Sequence, residues 1–303
     1  MIITPDILTA LMTTFRADFD EGTAMADPAW NKVATLVRSS SKSNTYGWLG
    51  QFPGFREWVG DRQVNDMAAH GYQITNKLWE STVGVQRTDI EDDELGIYSP
   101  LFREAGRASA VHPDELVFAL IKSGHTELCY DGQNFFDDEH PVYPKVDGTG
   151  TPDLVSNQDI PATDPGTAWY LLDTSRALKP FIFQERTPHN FQALTDETDQ
   201  NVFIRDEYLY GVRARSNVGF GFWQMAYKSQ QPLNAANYAA ARQAMSSQKA
   251  DGGRPLAVKP TMLVVPPSLR SQADEVLKAE RLANGATNTL ANTAELLETP
   301  WIM

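Results

Sequence analysis

The densest run of side chains able to do chemistry is Asp131-Gly132-Gln133-Asn134-Phe135-Phe136-Asp137-Asp138-Glu139-His140-Pro141. Carboxylates beside a histidine are the residue types that hold a divalent cation or act as acid and base. A metal-dependent hydrolase built on Asp137, Asp138, Glu139 and His140 is therefore the enzymatic reading the chain offers. The spacing counts against it. Three consecutive acids splay apart on a loop or strand, and no second carboxylate-rich segment is spaced as their partner. The preferred reading anchors Phe135 and Phe136 in the core and turns the acids to water. The histidines His70, His112, His125, His140 and His189 never fall at helical i, i+3 or i, i+4 spacing. Nucleophile elbows, phosphate loops, dinucleotide fingerprints and zinc-protease helices are absent. Cys129, the sole cysteine, excludes an intrachain disulfide and a multi-cysteine zinc site, and is expected to be a small buried apolar residue. The expectation is no catalytic, cofactor-binding or metal-binding residue, and no cofactor.

Charge narrows the partners. The formal net charge is −13 and the pI about 4.8, the wrong sign for a protein that grips DNA through its phosphates. Lys32, Arg38, Lys42, Arg56 and Arg62 form a locally basic stretch, read as scattered solubilising charge. The acidic run Asp89, Glu91, Asp92, Asp93 and Glu94 suits a helix start, where the macrodipole favours anions. No stretch approaches the ~18 apolar residues of a membrane span, and the N-terminus lacks the pattern of a secretory signal, so synthesis in a cytoplasm is expected.

The elements that must position these residues follow from periodicity and punctuation. Thr4-Pro5 marks a helix start, with Ile7, Leu8, Leu11, Met12, Phe15 and Phe19 at helical spacing and Gly22 as the stop. Residues 23–50 read as an arm with little structure of its own. Residues 55–63 and 72–87 read as the strands of a long hairpin. Ser99-Pro100 and Pro113-Asp114 open two halves of one long, interrupted helix of about thirty positions. Residues 144–167 read as a long loop. Strands are expected at 168–172, 180–184, 202–205 and 261–265, and a hairpin at 208–215 and 220–227 turning near Asn217-Val218-Gly219. Asn234 caps an alanine-rich helix. Of the tryptophans in strand-like runs, Trp58, Trp79, Trp169 and Trp223 are mostly core candidates. The whole is α+β.

Several strings then carry a resemblance. Leu128-Cys129-Tyr130-Asp131-Gly132-Gln133-Asn134-Phe135-Phe136 with Glu139-His140-Pro141 is similar to the hallmark segment of the Mu-like phage major head subunit family, the gpT-like capsid proteins. So are Tyr72-Gln73-Ile74-Thr75-Asn76-Lys77 before the acidic run, Arg213-Ala214-Arg215-Ser216-Asn217 before Gly221-Phe222-Trp223-Gln224, and Lys259-Pro260-Thr261-Met262-Leu263-Val264-Val265-Pro266-Pro267. The resemblance implies the Hong Kong 97-type capsid fold. In that frame residues 1–50 are the N-terminal arm, 51–87 the extended hairpin loop, 88–124 and 256–303 the peripheral domain with its spine helix, and 125–255 the axial domain. It also implies a self-assembling major capsid protein of an icosahedral phage head, located in the virion and assembled in the bacterial cytoplasm. Hexamers and pentamers of the chain would close the shell around weakly contacted double-stranded DNA, with a scaffold, a maturation protease and a portal as further partners. A cellular compartment shell of the encapsulin kind is the structural alternative.

Overall fold

A computed structural model describes residues 3–49, 71–92, 95–196, 198–281 and 285–303. Helix α1 (Pro5–Met25) begins as its sequence demands: Pro5 sits in the first turn and the Thr4 hydroxyl accepts a hydrogen bond from the Ile7 N–H. Gly22 does not end it; the helix runs on to Met25. That glycine serves packing instead. A Cβ there would lie 1.9 Å from the Arg103 carbonyl oxygen, and one at Gly106 would lie 2.0 Å from the Phe19 carbonyl oxygen. The two glycines let α1 cross α4 (Tyr98–Ser123) at backbone contact. The apolar stripe of α1 thus finds its partner on its own chain.

The segment expected to be an interrupted helix resolves into α3 (Arg87–Glu91), a short 3-10 turn and the continuous α4. Pro113 lies inside α4 without splitting it. Proline leaves the Ser109 carbonyl without its helical donor, and tertiary packing offsets the loss. Next to it, the Asp114 carboxylate accepts the backbone N–H groups of Ala29 and Trp30 at 2.6–3.0 Å, fixing α2 (Trp30–Val33) against α4.

Of residues 23–50, expected to have little structure, 23–25 finish α1 and those described beyond it run through α2 into strands β1 (Ala34–Arg38) and β2 (Ser43–Thr45). β2 pairs with β3 (Gln73–Thr75), and β4 (Lys77–Gln86) follows. Residues 55–63, the other half of the expected hairpin, lie outside the described residues, as does Trp58. β5 (His140–Val142) pairs with β6 (Asp153–Val155), and β7 (Gln158–Asp159) and β8 (Trp169–Leu172) follow.

Two expectations fail at the longest strands. β9 extends from Phe181 to Leu194, and residues 202–205, read as a strand, fall in the helical turn α5 (Gln200–Arg205). A run that short fits either period, and the left-handed Asp206 closes it as a helix end. β10 (Glu207–Phe220) runs straight through Asn217-Val218-Gly219 instead of turning there. Its antiparallel partners are β9 on one side and β4 on the other, with register shifts near Arg213 and Arg215. The four-stranded order is β1-β9-β10-β4, with β1 parallel to β9.

The second sheet has the order β13-β12-β8-β11-β7, using β11 (Ala226–Ser229), β12 (Met262–Val265) and β13 (Glu295–Glu298). Its central strands are buried on both faces. Trp169, Leu171, Leu263 and Val265 face α6 (Ala235–Ser246) and α7 (Arg270–Leu277), while Tyr170, Leu172, Met262 and Val264 face the core shared with the first sheet. Asn234 caps α6 through a 3.0 Å bond from the Asn237 N–H. A third core joins α1 and α4 to the first sheet, where Phe15 stacks on Phe102 at 4.3 Å and meets Tyr210 edge-on at 5.1 Å. The two sheets draw on separate stretches of chain: residues 181–220 hydrogen-bond into the sheet beneath α4, and residues 262–298 into the other.

Candidate functional site

The polar segment after α4 is built from its backbone outward. The Phe136 N–H donates to the Gly124 carbonyl at 2.8 Å, the Phe135 N–H to Glu127 and the Cys129 N–H to Gln133, with Gly132 at φ +87° making the reversal. Phe135 and Phe136 are fully buried, Phe135 stacking on Phe220 at 4.4 Å. Asn157 ties the far side: its amide donates to the Phe135 and Trp223 carbonyls, and its oxygen accepts the Asp137 N–H. The aromatic anchors expected from sequence are in place.

The acids of the expected hydrolase site do not converge. One Asp137 oxygen accepts the N–H groups of Asp138 and Glu139 and the other accepts the Asn134 amide. Asp138 accepts from the Ser156 hydroxyl and the Gln158 amide. His140 turns inward, stacked on Trp223 at 4.0 Å, and its Nδ1 lies 2.7 Å from Asp131 Oδ2. The Cys129 thiol donates to Asp131 Oδ1 at 3.0 Å. The structure therefore brings together Cys129, Asp131 and His140, a trio not joined in the sequence reading, and among the described residues it is the group whose donor atoms could share a metal ion. Burial of the Asp131 carboxyl would raise its pKa, but the His140 contact and the donors Cys129 and Gln133 outweigh that and hold it below its ordinary value. Burial, then the adjacent carboxylate, pushes the Cys129 thiol far up, which makes it no nucleophile.

Other expected residues are taken up structurally. Lys32 pairs with Glu295 and Arg38 with Glu185, so the basic stretch is partly neutralised; Arg56 and Arg62 lie outside the described residues. Asp89 enters the first turn of α3 and accepts the Tyr98 hydroxyl at 2.5 Å. Trp169 and Trp223 are core, and the half-buried Trp79 meets His112 edge-on at 4.7 Å. His112 on α4 approaches His189 on β9 at 3.3 Å. Burial lowers both, and with His112 beside it His189 falls to about 4. An apolar surface feature was missed: among the described residues Phe203 is the most exposed large apolar side chain at 88%, and its neighbour Ile204 on α5 is 65% exposed. Their run is too short for periodicity to show its outward face.

The profile described as Mu-like prophage major head subunit gpT matches residues 8–302. The chain belongs to this family. Within the Mu-like head subunits, it is 51% identical over 292 residues to the major capsid protein of Escherichia phage Mu, covering 96% of this chain and 95% of that one. It is 48% identical over 280 residues to the Mu-like prophage FluMu major head subunit of Haemophilus influenzae, covering 92% and 91% respectively. It superposes on a chain of the bacteriophage JBD30 procapsid with a TM-score of 0.87 and 60% identity, covering 99% of this chain and 100% of that one. The α+β architecture is that of the Hong Kong 97-type capsid proteins, as the resemblance implied. As a Mu-like head subunit, the chain is a virion component. No helix among the described residues is long and apolar enough to cross a membrane.

Proposed function

We propose that the chain is the repeating subunit of the icosahedral head of a Mu-like phage, assembling in many copies around double-stranded DNA, with a structural and no catalytic role. The observation that carries this reading is the family match over nearly the whole chain, residues 8–302. The site geometry supports it. The acids that a hydrolase would need are spent on local turns, and the thiol is buried and protonated. The exposed Phe203 and Ile204, set at the end of the β9–β10 ribbon, suit a chain that buries them against another copy.

In this reading, α1, α4 and the sheet beneath them form the peripheral layer. The β8–β11–β12 sheet with α6 and α7 forms the axial unit that meets its symmetry mates in hexamers and pentamers. A scaffold, a maturation protease and a portal act on the assembling shell. Closed cyclic contacts end growth, where an open contact would give a fibre. The test is to express the chain alone and follow particle size by light scattering and negative-stain electron microscopy. Rings, capsomers or shells are expected; a uniform monomer at high concentration that scaffold fails to assemble would count against the proposal.

A further inference from the structure

We propose that Cys129 Sγ, the Asp131 carboxylate and His140 Nδ1 form a binding site for one zinc-class divalent ion. The three donor atoms lie within 4.8 Å of one another. Tetrahedral ligands at the usual 2.0–2.3 Å from zinc are roughly 3.3–3.7 Å apart. Cys129 Sγ meets Asp131 Oδ1 at 3.0 Å and His140 Nδ1 meets Oδ2 at 2.7 Å, so the carboxylate lies between the other two donors, and these contacts must open by roughly half an ångström as one of its oxygens turns to the ion. Thiolate, imidazole and carboxylate together select zinc or its neighbours, and a thiolate argues against calcium or magnesium.

The ligands are held by rigid parts. Cys129 and Asp131 belong to one backbone reversal, closed by the Cys129–Gln133 and Gly132–Cys129 hydrogen bonds. His140 is 0% exposed, begins β5 and is fixed by its stack on Trp223. Its Nε2 is buried with no hydrogen-bond partner, so the ring is not placed there to bridge two polar groups. Tyr72, Gln73, Cys129, Asp131 and Gly132 line a surface cavity, the side from which an ion would reach the trio. On binding, the thiol proton leaves to solvent as the metal–sulfur bond forms, and the imidazole proton moves from Nδ1 to Nε2. One proton is released per ion. The bound ion would clamp the 129–131 turn to β5 in a chain that has no disulfide.

The test uses the full chain, stripped with a chelator and titrated with cobalt(II), whose thiolate complexes absorb in the near ultraviolet. One equivalent is expected, with that absorption band and one proton released, and zinc(II) should displace it. Cys129→Ser should lose the band, and Asp131→Asn, which keeps the carboxylate's shape, should weaken uptake at least tenfold. Asp138→Asn, outside the trio, should bind as the parent does. Circular dichroism establishes that each variant is folded; if Cys129→Ser is not, Asp131→Asn decides. Absence of stoichiometric uptake by the folded parent, a band that survives Cys129→Ser, or unchanged uptake by a folded Asp131→Asn would overturn the proposal.

Discussion

Asn157 concentrates much of the loop's stability in one buried amide. It is 1% exposed and serves two carbonyls and one N–H from two different segments, the 135–137 loop and Trp223. Asn157→Ala would orphan all three, and buried unsatisfied groups cost about 1–3 kcal/mol each, less what relaxation recovers. A loss of about 2–4 kcal/mol is expected in denaturant unfolding of the chain. The histidine pair gives a pH prediction. His189 titrates near 4 in the fold and near its ordinary value of about 6.5 in the unfolded chain. Between those values the unfolded chain binds more protons, so stability is full above the upper one and falls as pH drops toward 4. The depressed His112 acts in the same direction, partly offset by Glu115. Thermal unfolding at pH 7 and pH 5 should show the loss, and His189→Gln should make it shallower; an equal slope in the variant would refute the assignment.

Between elements, the α1–α4 crossing is the contact most sensitive to a single atom. Gly106→Ala would drive a Cβ into the Phe19 carbonyl, a main-chain atom that cannot rotate away. Overpacking of this kind costs typically about 1–3 kcal/mol, and the upper end is expected because both partners are helix backbone. Phe102→Ala, which empties the centre of the Phe15–Phe102–Tyr210 cluster, should cost about 3–5 kcal/mol. Both are read by unfolding curves, with α1 expected to lose its protection from hydrogen exchange in the glycine variant. Gly22 reads in sequence as a helix stop because a glycine after an apolar stripe commonly is one. Only the presence of a second helix at that point shows it to be a contact.

For the whole molecule, the prediction concerns assembly. Phe203 and Ile204 are displayed outward while Val202 is buried in the core of the same layer. Phe203→Asp with Ile204→Asp should leave the fold and its unfolding midpoint nearly unchanged, since exposed sites rarely shift stability by more than about 0.5 kcal/mol. The same variant should fail to build closed shells, as read by light scattering and electron microscopy. Shells of normal size would show that α5 is not a contact between copies.

Local signals fixed a good part of this protein before any contact was known. Thr4-Pro5 starts α1, Asn234 caps α6, residues 262–265 are a buried strand, and Phe135 and Phe136 anchor the loop ahead of acids that face water. Each rests on neighbours within a few residues, so propensity and period suffice. The ordered strings from Tyr72 to Pro267 also carried the family resemblance, because a head subunit's identity is written along its length and not in one site. Tertiary structure decided what depends on distant partners. β10 runs through Asn217-Val218-Gly219 because β9 pairs with all three positions, and a turn signal yields to a continuous ladder. Pro113 stays inside α4 because packing on two sides outweighs one lost hydrogen bond. Asp131 gathers Cys129 and His140 because Trp223, more than eighty residues away, holds the histidine ring against it.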